Sequence, residues 1–158
     1  MNFKTEYHQN GYVLVKNFFD KNFCSDIKKE VKKLNSKLII PFSDVPYGFG
    51  DVRDKVPFNK ISNSEDLKKI SNDLIGNISK LSHFMLVNKA AWIGPDVEWH
   101  QEVFNLQIYA PGCDPKSDWN RFLQVFVAID DHNKINGCLK VFKGSHKEGM
   151  LEFEDIVN

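Results

Sequence analysis

The hydrophobic pattern of this 158-residue chain changes its period near residue 81, and few fold classes accommodate such a change. Before that point, apolar residues recur every three or four positions, which is typical of helices lying on a core. After it, aromatic and β-branched runs at residues 84–87, 97–104, 122–129 and 138–142 are separated by turn-forming residues, which is typical of strands. Helices followed by strands predict an α+β chain whose helices pack on an antiparallel sheet.

Two amphipathic helices are predicted in the first half of the chain. Asp20 can cap the first of them, whose apolar stripe extends over residues 23–38. The second is predicted over residues 64–81, because Ser62 and Glu65 have the spacing of a capping box ahead of its apolar stripe.

The segments beside these helices have different compositions. Residues 12–19 are aromatic and β-branched, which predicts a mostly buried strand. Residues 41–60 contain three prolines, two glycines and several aspartates, which predicts a long irregular loop of the kind that often borders a site.

Charge and composition exclude several classes of function. The chain has 21 basic and 21 acidic side chains and a pI near 7.0, so a large basic face for a nucleic-acid partner is not expected. It shows neither a membrane-spanning apolar stretch nor the pattern of a secretory signal, so no membrane partner is expected. Cys24, Cys113 and Cys138 are odd in number and form no Cys-x-x-Cys pair, which favours free thiols in the cytoplasm.

The candidate chemistry lies in Trp99-His100-Gln101-Glu102. Residues two apart on a strand point to the same face, so His100 and Glu102 can present an imidazole and a carboxylate to one point. Such a pair supplies two thirds of the facial triad that leaves positions open on Fe(II). His-x-Glu alone is more often an exposed polar face. Trp99 and Phe104 strengthen the metal interpretation by adding an apolar border, although Phe104 is better explained as core.

Several segments, taken in order, resemble the phytanoyl-CoA dioxygenase family. Residues 7–19 resemble the family's opening, in which a short helix leads through Gly-Tyr into a strand and a long helix. Residues 83–89 are similar to the strand before its metal motif, and residues 99–102 to the His-Gln-Asp segment with two iron ligands. Residues 128–139 and the Gly-Ser-His of residues 144–146 resemble later turns.

The resemblance implies an Fe(II)- and 2-oxoglutarate-dependent dioxygenase that hydroxylates a small organic substrate. It also implies N-terminal helices packed on an antiparallel double-stranded β-helix, a cupin-like jelly roll. His100 then matches the first iron-binding histidine, and Glu102 stands where the family usually has aspartate. Gln101 points to the other face of the strand, where it can steady a neighbouring segment. The loops of residues 41–60 and 109–120 become candidate lids over the substrate.

Three further side chains are candidates for the same site. Phe126 and Met85 match positions that can line the 2-oxoglutarate pocket, although an interpretation as plain core residues is favoured for both. His146 belongs to the Gly-Ser-His turn. In the family that histidine closes a turn and is not the distal iron ligand, so His146 is not assigned to the metal.

The resemblance places the distal iron-binding histidine and the arginine that binds 2-oxoglutarate beyond the Gly-Ser-His turn. Only twelve residues follow His146, and they contain neither His nor Arg. We therefore expect residues 1–158 to form one domain that lacks the C-terminal strands of the barrel. The open edges of a half barrel make a homo-oligomer possible. A catalytically inactive cupin-like binding or assembly module is the main alternative, and a metal hydrolase using the same pair is a weaker one.

Overall fold

The computed structural model describes residues 2–34, 48–49, 51–76, 79–87, 97–102, 112–114 and 121–151. Its elements, in chain order, are helices α1 (Phe3–Asn10) and α2 (Lys21–Val31), strand β1 (Gly48–Phe49), helices α3 (Asn59–Ser62) and α4 (Glu65–Ile75), strand β2 (Leu86–Val87) and a 3₁₀ turn (Ser145–Glu148). No helix in these ranges is long and apolar enough to cross a membrane. Cys24, Cys113 and Cys138 are free thiols, as the sequence predicts.

Local capping chemistry starts and ends the first two helices. The Asn2 side chain accepts a hydrogen bond from the backbone N–H of Thr5 at the start of α1, and Gly11 ends that helix in the left-handed conformation. At α2, the Asp20 carboxylate accepts from the N–H of Phe23 at 2.7 Å, as the sequence predicts. Residues 12–19, predicted as a strand, instead have no regular structure at 12–15 and turns and bends at 16–19, and pair with no strand among the described residues.

Helix α4 is shorter than predicted and has a different cap. The Ser64 hydroxyl caps the helix by accepting a hydrogen bond from the backbone N–H of Leu67 at 3.3 Å. Ser62, the predicted cap, instead donates its hydroxyl proton to the carbonyl of Arg53 at 2.8 Å. The helix ends at Ile75, where Gly76 adopts a left-handed conformation with φ of 69°. A glycine with this backbone stops a helix even when apolar residues continue at helical spacing, which explains why the predicted end at residue 81 is wrong.

The core lies where α2 meets the segment between β1 and α3. Ile27, Val52 and Phe58 are each 1% exposed and pack on one another. The partly buried apolar side chains around them come from α2 and the turn after it, from α3, from β2 and the residues before it, and from the segment of residues 121–131: Phe23, Val31, Leu34, Ile61, Phe84, Leu86 and Ile129. The amphipathic stripe of α2 therefore faces the core, and part of the predicted loop of residues 41–60 supplies its centre.

An ion pair connects α2 to the segment that follows residue 121. The Lys28 ammonium lies 2.7 Å from the Asp130 carboxylate, and the hydrogen bond to Asp130 raises the pKa of Lys28. After Asp130 the chain turns at residues 134–137, where the N–H of Cys138 donates to the carbonyl of Asn133 at 3.1 Å. This turn is the one predicted between two apolar runs.

The strand pattern is only partly realised. β1 and β2 form an antiparallel pair in which Gly48 faces Val87 and Phe49 faces Leu86. The other predicted runs, residues 97–102, 122–129 and 138–142, make no ladder with another described segment, so jelly-roll packing is not formed in the described part of the chain. Alternating side chains favour an extended backbone, but a strand also requires a partner whose N–H and C=O groups meet its own. The pattern of one segment does not supply that partner.

Candidate metal centre

The two predicted metal ligands lie beside each other. The Nε2 atom of His100 is 3.4 Å from Oε1 of Glu102. The predicted reason for their proximity was strand alternation, and that reason is wrong, because the backbone bends at Trp99 and residues 97–102 contain no strand. The imidazole and the carboxylate are brought together by local chain geometry instead.

A backbone carbonyl orients the imidazole of His100. Its Nδ1 atom lies 2.8 Å from the carbonyl oxygen of Glu98. A carbonyl can only accept a hydrogen bond, so Nδ1 carries the proton and donates, and Nε2 is the ring nitrogen that faces Glu102. An Nδ1–H bonded to a carbonyl is the usual way in which proteins hold a metal-binding histidine.

This donor set fits a divalent metal ion. Two protein donors in adjacent positions, each about 2.1 Å from a shared ion, lie about 3 Å apart. The observed separation of 3.4 Å needs only a small side-chain adjustment to match that value. The side chains of His100 and Glu102 are 39% and 51% exposed, so an ion and a small co-substrate can reach them from solvent. Among the described residues, no group of three or more His, Cys, Asp or Glu could hold a metal ion.

Gln101 connects the pair to a distant segment. Its amide Nε2 donates to the carbonyl of Gly149 at 2.8 Å, and its Oε1 accepts from the N–H of Leu151 at 2.9 Å. The prediction that Gln101 steadies a neighbouring segment is therefore confirmed. Both polar groups of the Gln101 side chain therefore form hydrogen bonds with the backbone of residues 149–151.

His146 faces α1 and has a structural role. Its Nε2 atom lies 2.9 Å from the carbonyl oxygen of His8, so Nε2 carries the proton and donates. Its Nδ1 atom is buried without a hydrogen-bond partner. The position of a Cβ on Gly11 would be only 2.5 Å from that atom, so the ring packs directly against the glycine. The interpretation of His146 as a turn residue, not a metal ligand, agrees with these contacts.

Phe126 and Met85 are not core residues in the described part of the chain. Phe126 is 51% exposed and packs edge-on against His132, with ring centroids 5.4 Å apart. Met85 is 38% exposed. The interpretation of these two side chains as plain core is therefore wrong, because the strands that would have covered them do not pair here.

Trp99, the residue before His100, contacts Phe142 edge-on, with ring centroids 6.3 Å apart, and is 49% exposed. The apolar border predicted for Trp99 stays a prediction. Phe104, most of the candidate lid of residues 109–120 and residues 41–47 of the other candidate lid lie outside the described residues.

Two grooves lie elsewhere on the molecule, along the contact between α1 and α4. Both are lined by Phe3, Ile70 and Asp73, and neither is lined by His100 or Glu102. Their open shape gives little enclosure for a small molecule. We therefore place the candidate site at His100 and Glu102, called the metal pair below, and not in these grooves.

Sequence reasoning missed two parts of this arrangement. The first is the carbonyl of Glu98 that orients His100, for which the sequence carries no signal, because every residue has a carbonyl. The second is the contact between His146 and the carboxyl end of α1. Gly11 was the available clue, since a glycine that ends a helix in the left-handed conformation can also admit a close neighbour.

Comparison with known proteins gives one match. The model of the family described as phytanoyl-CoA dioxygenase (PhyH) matches residues 7–154. No curated protein and no solved structure matches the chain. The family match covers the second half of α1, all of α2, α3 and α4, and the candidate metal pair.

Proposed function

The chain belongs to the phytanoyl-CoA dioxygenase (PhyH) family, and on that premise we propose that it is an Fe(II)- and 2-oxoglutarate-dependent dioxygenase that hydroxylates a small organic substrate. Family membership points to oxygenase chemistry in general. The iron, the co-substrate and the class of substrate are the proposal.

One observation carries the proposal from the family to this chain. The Nε2 atom of His100 and the carboxylate of Glu102 lie 3.4 Å apart, in the segment that resembles the family's His-Gln-Asp motif and within the residues that the family model matches. Nδ1 of His100 is held by the carbonyl of Glu98, which leaves the correct nitrogen for a metal. An exposed His-x-Glu tripeptide with an unoriented ring would have supported the proposal much less.

The residues would act by binding and orienting. Bound Fe(II) with 2-oxoglutarate supplies the activation of oxygen needed to hydroxylate an unactivated C–H bond. His100 donates its Nε2 lone pair and Glu102 a carboxylate oxygen, which leaves the other coordination positions for further ligands. The Nδ1–H bond to Glu98 restricts rotation of the imidazole, so His100 loses little conformational freedom when it binds the ion.

Glutamate in place of aspartate shifts the carboxylate by one methylene. The negative charge and the donor atoms are the same, so metal binding by Glu102 remains chemically reasonable. The longer side chain has one more rotatable bond to order. We propose that Glu102 would hold the ion through its carboxylate, whose Oε1 atom lies 3.4 Å from Nε2 of His100.

We also propose that Phe126 and Met85 contact the co-substrate or the substrate. Their exposure supports this role, because side chains that line a pocket must be accessible when it is empty. The open sides of the metal pair likewise suit a small molecule that completes the coordination.

An anaerobic titration tests the proposal. The purified chain is titrated with Fe(II) and 2-oxoglutarate while the visible metal-to-ligand charge-transfer band is recorded. We expect a band in the wild-type protein that is lost in His100→Ala and strongly weakened in Glu102→Ala, because each change removes one of two protein ligands. His8→Ala is the matched control, since it removes an exposed imidazole from α1 and leaves the metal pair intact.

Two outcomes would count against the proposal. If a folded wild-type chain gives no band, this chain does not bind the iron and co-substrate. If the band persists unchanged in His100→Ala, the metal is held elsewhere. Admission of oxygen then gives the activity test, in which succinate should form in proportion to the bound iron.

A further inference from the structure

Two sets of long-range hydrogen bonds meet in the short segment of residues 144–151. One set joins this segment to the carboxyl end of α1, and the other joins it to Gln101. Gln101 is the residue between His100 and Glu102. The N-terminal helix and the candidate metal pair are therefore connected through the chain of residues 144–151 and the hydrogen bonds near its two ends.

The first contact caps α1. The last carbonyls of a helix lack partners within the helix and need donors from elsewhere. The N–H of Gly144 donates to the carbonyl of Asn10 at 2.9 Å, and Nε2–H of His146 donates to the carbonyl of His8 at 2.9 Å. Gly11 has no side chain, and this allows the imidazole to approach the helix end so closely.

The second contact holds the segment that carries the metal pair. Within the part of the chain that the structure describes, the hydrogen bonds from residues 97–102 to a distant segment are the two made by the Gln101 amide. These bonds fix the Gln101 side chain on the backbone of residues 149–151. The backbone of its neighbours His100 and Glu102 is restrained with it.

We propose that Gln101 and His146 are positioning residues of the metal pair, and this proposal rests on the proposed function. Gln101 holds the backbone between the two ligands, and His146 fixes the segment on which Gln101 is held. Neither side chain touches the metal. Each acts through the relative placement of His100 Nε2 and Glu102 Oε1, which must lie on one ion.

The consequence for metal binding can be measured. Outer residues that orient metal ligands typically change affinity by about 10-fold to 100-fold when they are lost. Gln101→Met keeps the length of the side chain but neither donates nor accepts a hydrogen bond, and should weaken Fe(II) binding about tenfold. His146→Ala acts one step farther away and should weaken it by a smaller factor.

Anaerobic calorimetric titration with Fe(II) alone gives the dissociation constants, and His100→Ala identifies the site. Two controls accompany the variants. Gln124→Met removes an exposed glutamine outside the linked segments, and Gly76→Ala destabilises the end of α4, where a new Cβ meets nothing within 4 Å. Both should bind Fe(II) like the wild type, which separates loss of positioning from a general loss of stability.

Amide hydrogen exchange of the metal-free protein is the second measurement. The N–H of Leu151 donates to Gln101, so its exchange should be faster in Gln101→Met. It should also be faster in His146→Ala, although His146 does not touch Leu151, because the segment between them loses its anchor on α1. Unchanged exchange of Leu151 in His146→Ala would overturn the connection between the two contacts.

The outcomes of the titration are distinct. If the wild type binds Fe(II) through His100 and the Gln101 and His146 variants bind equally well, the positioning role is refuted while the proposed function stands. If the wild type binds no Fe(II), the proposed function fails and the positioning role fails with it. Weaker binding in both variants, with unchanged binding in both controls, supports the proposal.

Discussion

Gly11→Ala tests the contact between α1 and His146 through two separable penalties. Gly11 has φ of 83°, and an alanine in this left-handed region costs about 1–2 kcal/mol. The new Cβ would also lie 2.5 Å from Nδ1 of His146, so the imidazole must move away. If that movement breaks the hydrogen bond to the carbonyl of His8, a further loss of about 1 kcal/mol follows. The expected loss in the free energy of unfolding is therefore about 2–3 kcal/mol.

Gly76→Ala supplies a matched control for the backbone penalty. Gly76 ends α4 as Gly11 ends α1, with φ of 69°, but a Cβ there meets nothing within 4 Å. Its expected cost is the strain alone, about 1–2 kcal/mol. Urea unfolding followed by circular dichroism measures both variants, and the difference between them reports the contact with His146.

A double-mutant cycle completes this test. In Gly11→Ala with His146→Ala the new methyl group meets no imidazole, so the double variant should be about 1 kcal/mol more stable than the sum of the two single losses predicts. Equal losses for Gly11→Ala and Gly76→Ala, together with simple additivity in the cycle, would refute the reasoning.

Three other perturbations follow from the structure. Asp20→Ala removes the 2.7 Å cap on α2 and should cost about 1 kcal/mol in urea unfolding. Phe58→Ala empties a core position that is 1% exposed and should cost about 3–5 kcal/mol in the same assay. The hydrogen bond from Arg53 lowers the pKa of Asp51 below 3.8, so this pair stabilises the fold above that pH and the contribution is lost as the pH falls through the lowered value. Asp51→Asn should therefore flatten the pH dependence of the urea midpoint as the pH falls below the ordinary aspartate value.

The cap variant and the core variant each have a control within the chain. Asp26→Ala removes an exposed carboxylate inside α2 that caps nothing, and Ile135→Ala truncates a side chain that is 97% exposed. Both should change stability by less than about 0.5 kcal/mol. A cap or core variant that cost no more than its control would contradict the assigned role. An acid profile unchanged in Asp51→Asn would show that the ion pair with Arg53 makes no net contribution.

The helices and the metal pair were the parts of this protein most accessible from sequence. Asp20 and the apolar spacing after it predicted the start of α2 correctly, although the helix ends at Val31 and the apolar stripe continues beyond it. The resemblance implied the short helix before Gly11. The proximity of His100 and Glu102 was also predicted, although for the wrong reason. The predicted end of α4 is wrong because the left-handed Gly76 stops the helix while the apolar stripe continues.

The predicted strands show where sequence reasoning reached its limit. Residues 122–129 and 138–142 have the composition of strands, yet in the described part of the chain they pair with no partner and leave Phe126 and Phe142 exposed. Composition reports the preference of a segment for extended backbone. Whether that backbone joins a sheet depends on a second segment, which composition does not identify.

The sequence by itself determined the cap of α2, the starts of α2 and α4 and the presence of an imidazole and a carboxylate two residues apart, because these features depend on neighbours within about four positions. Only the tertiary structure decided that His146 donates a hydrogen bond to the end of α1 and that Gln101 binds the backbone of residues 149–151. The partners in these contacts are 138 and 48 residues apart in the chain. They are backbone carbonyls and N–H groups that every residue type presents, so only the folded path of the chain selects them.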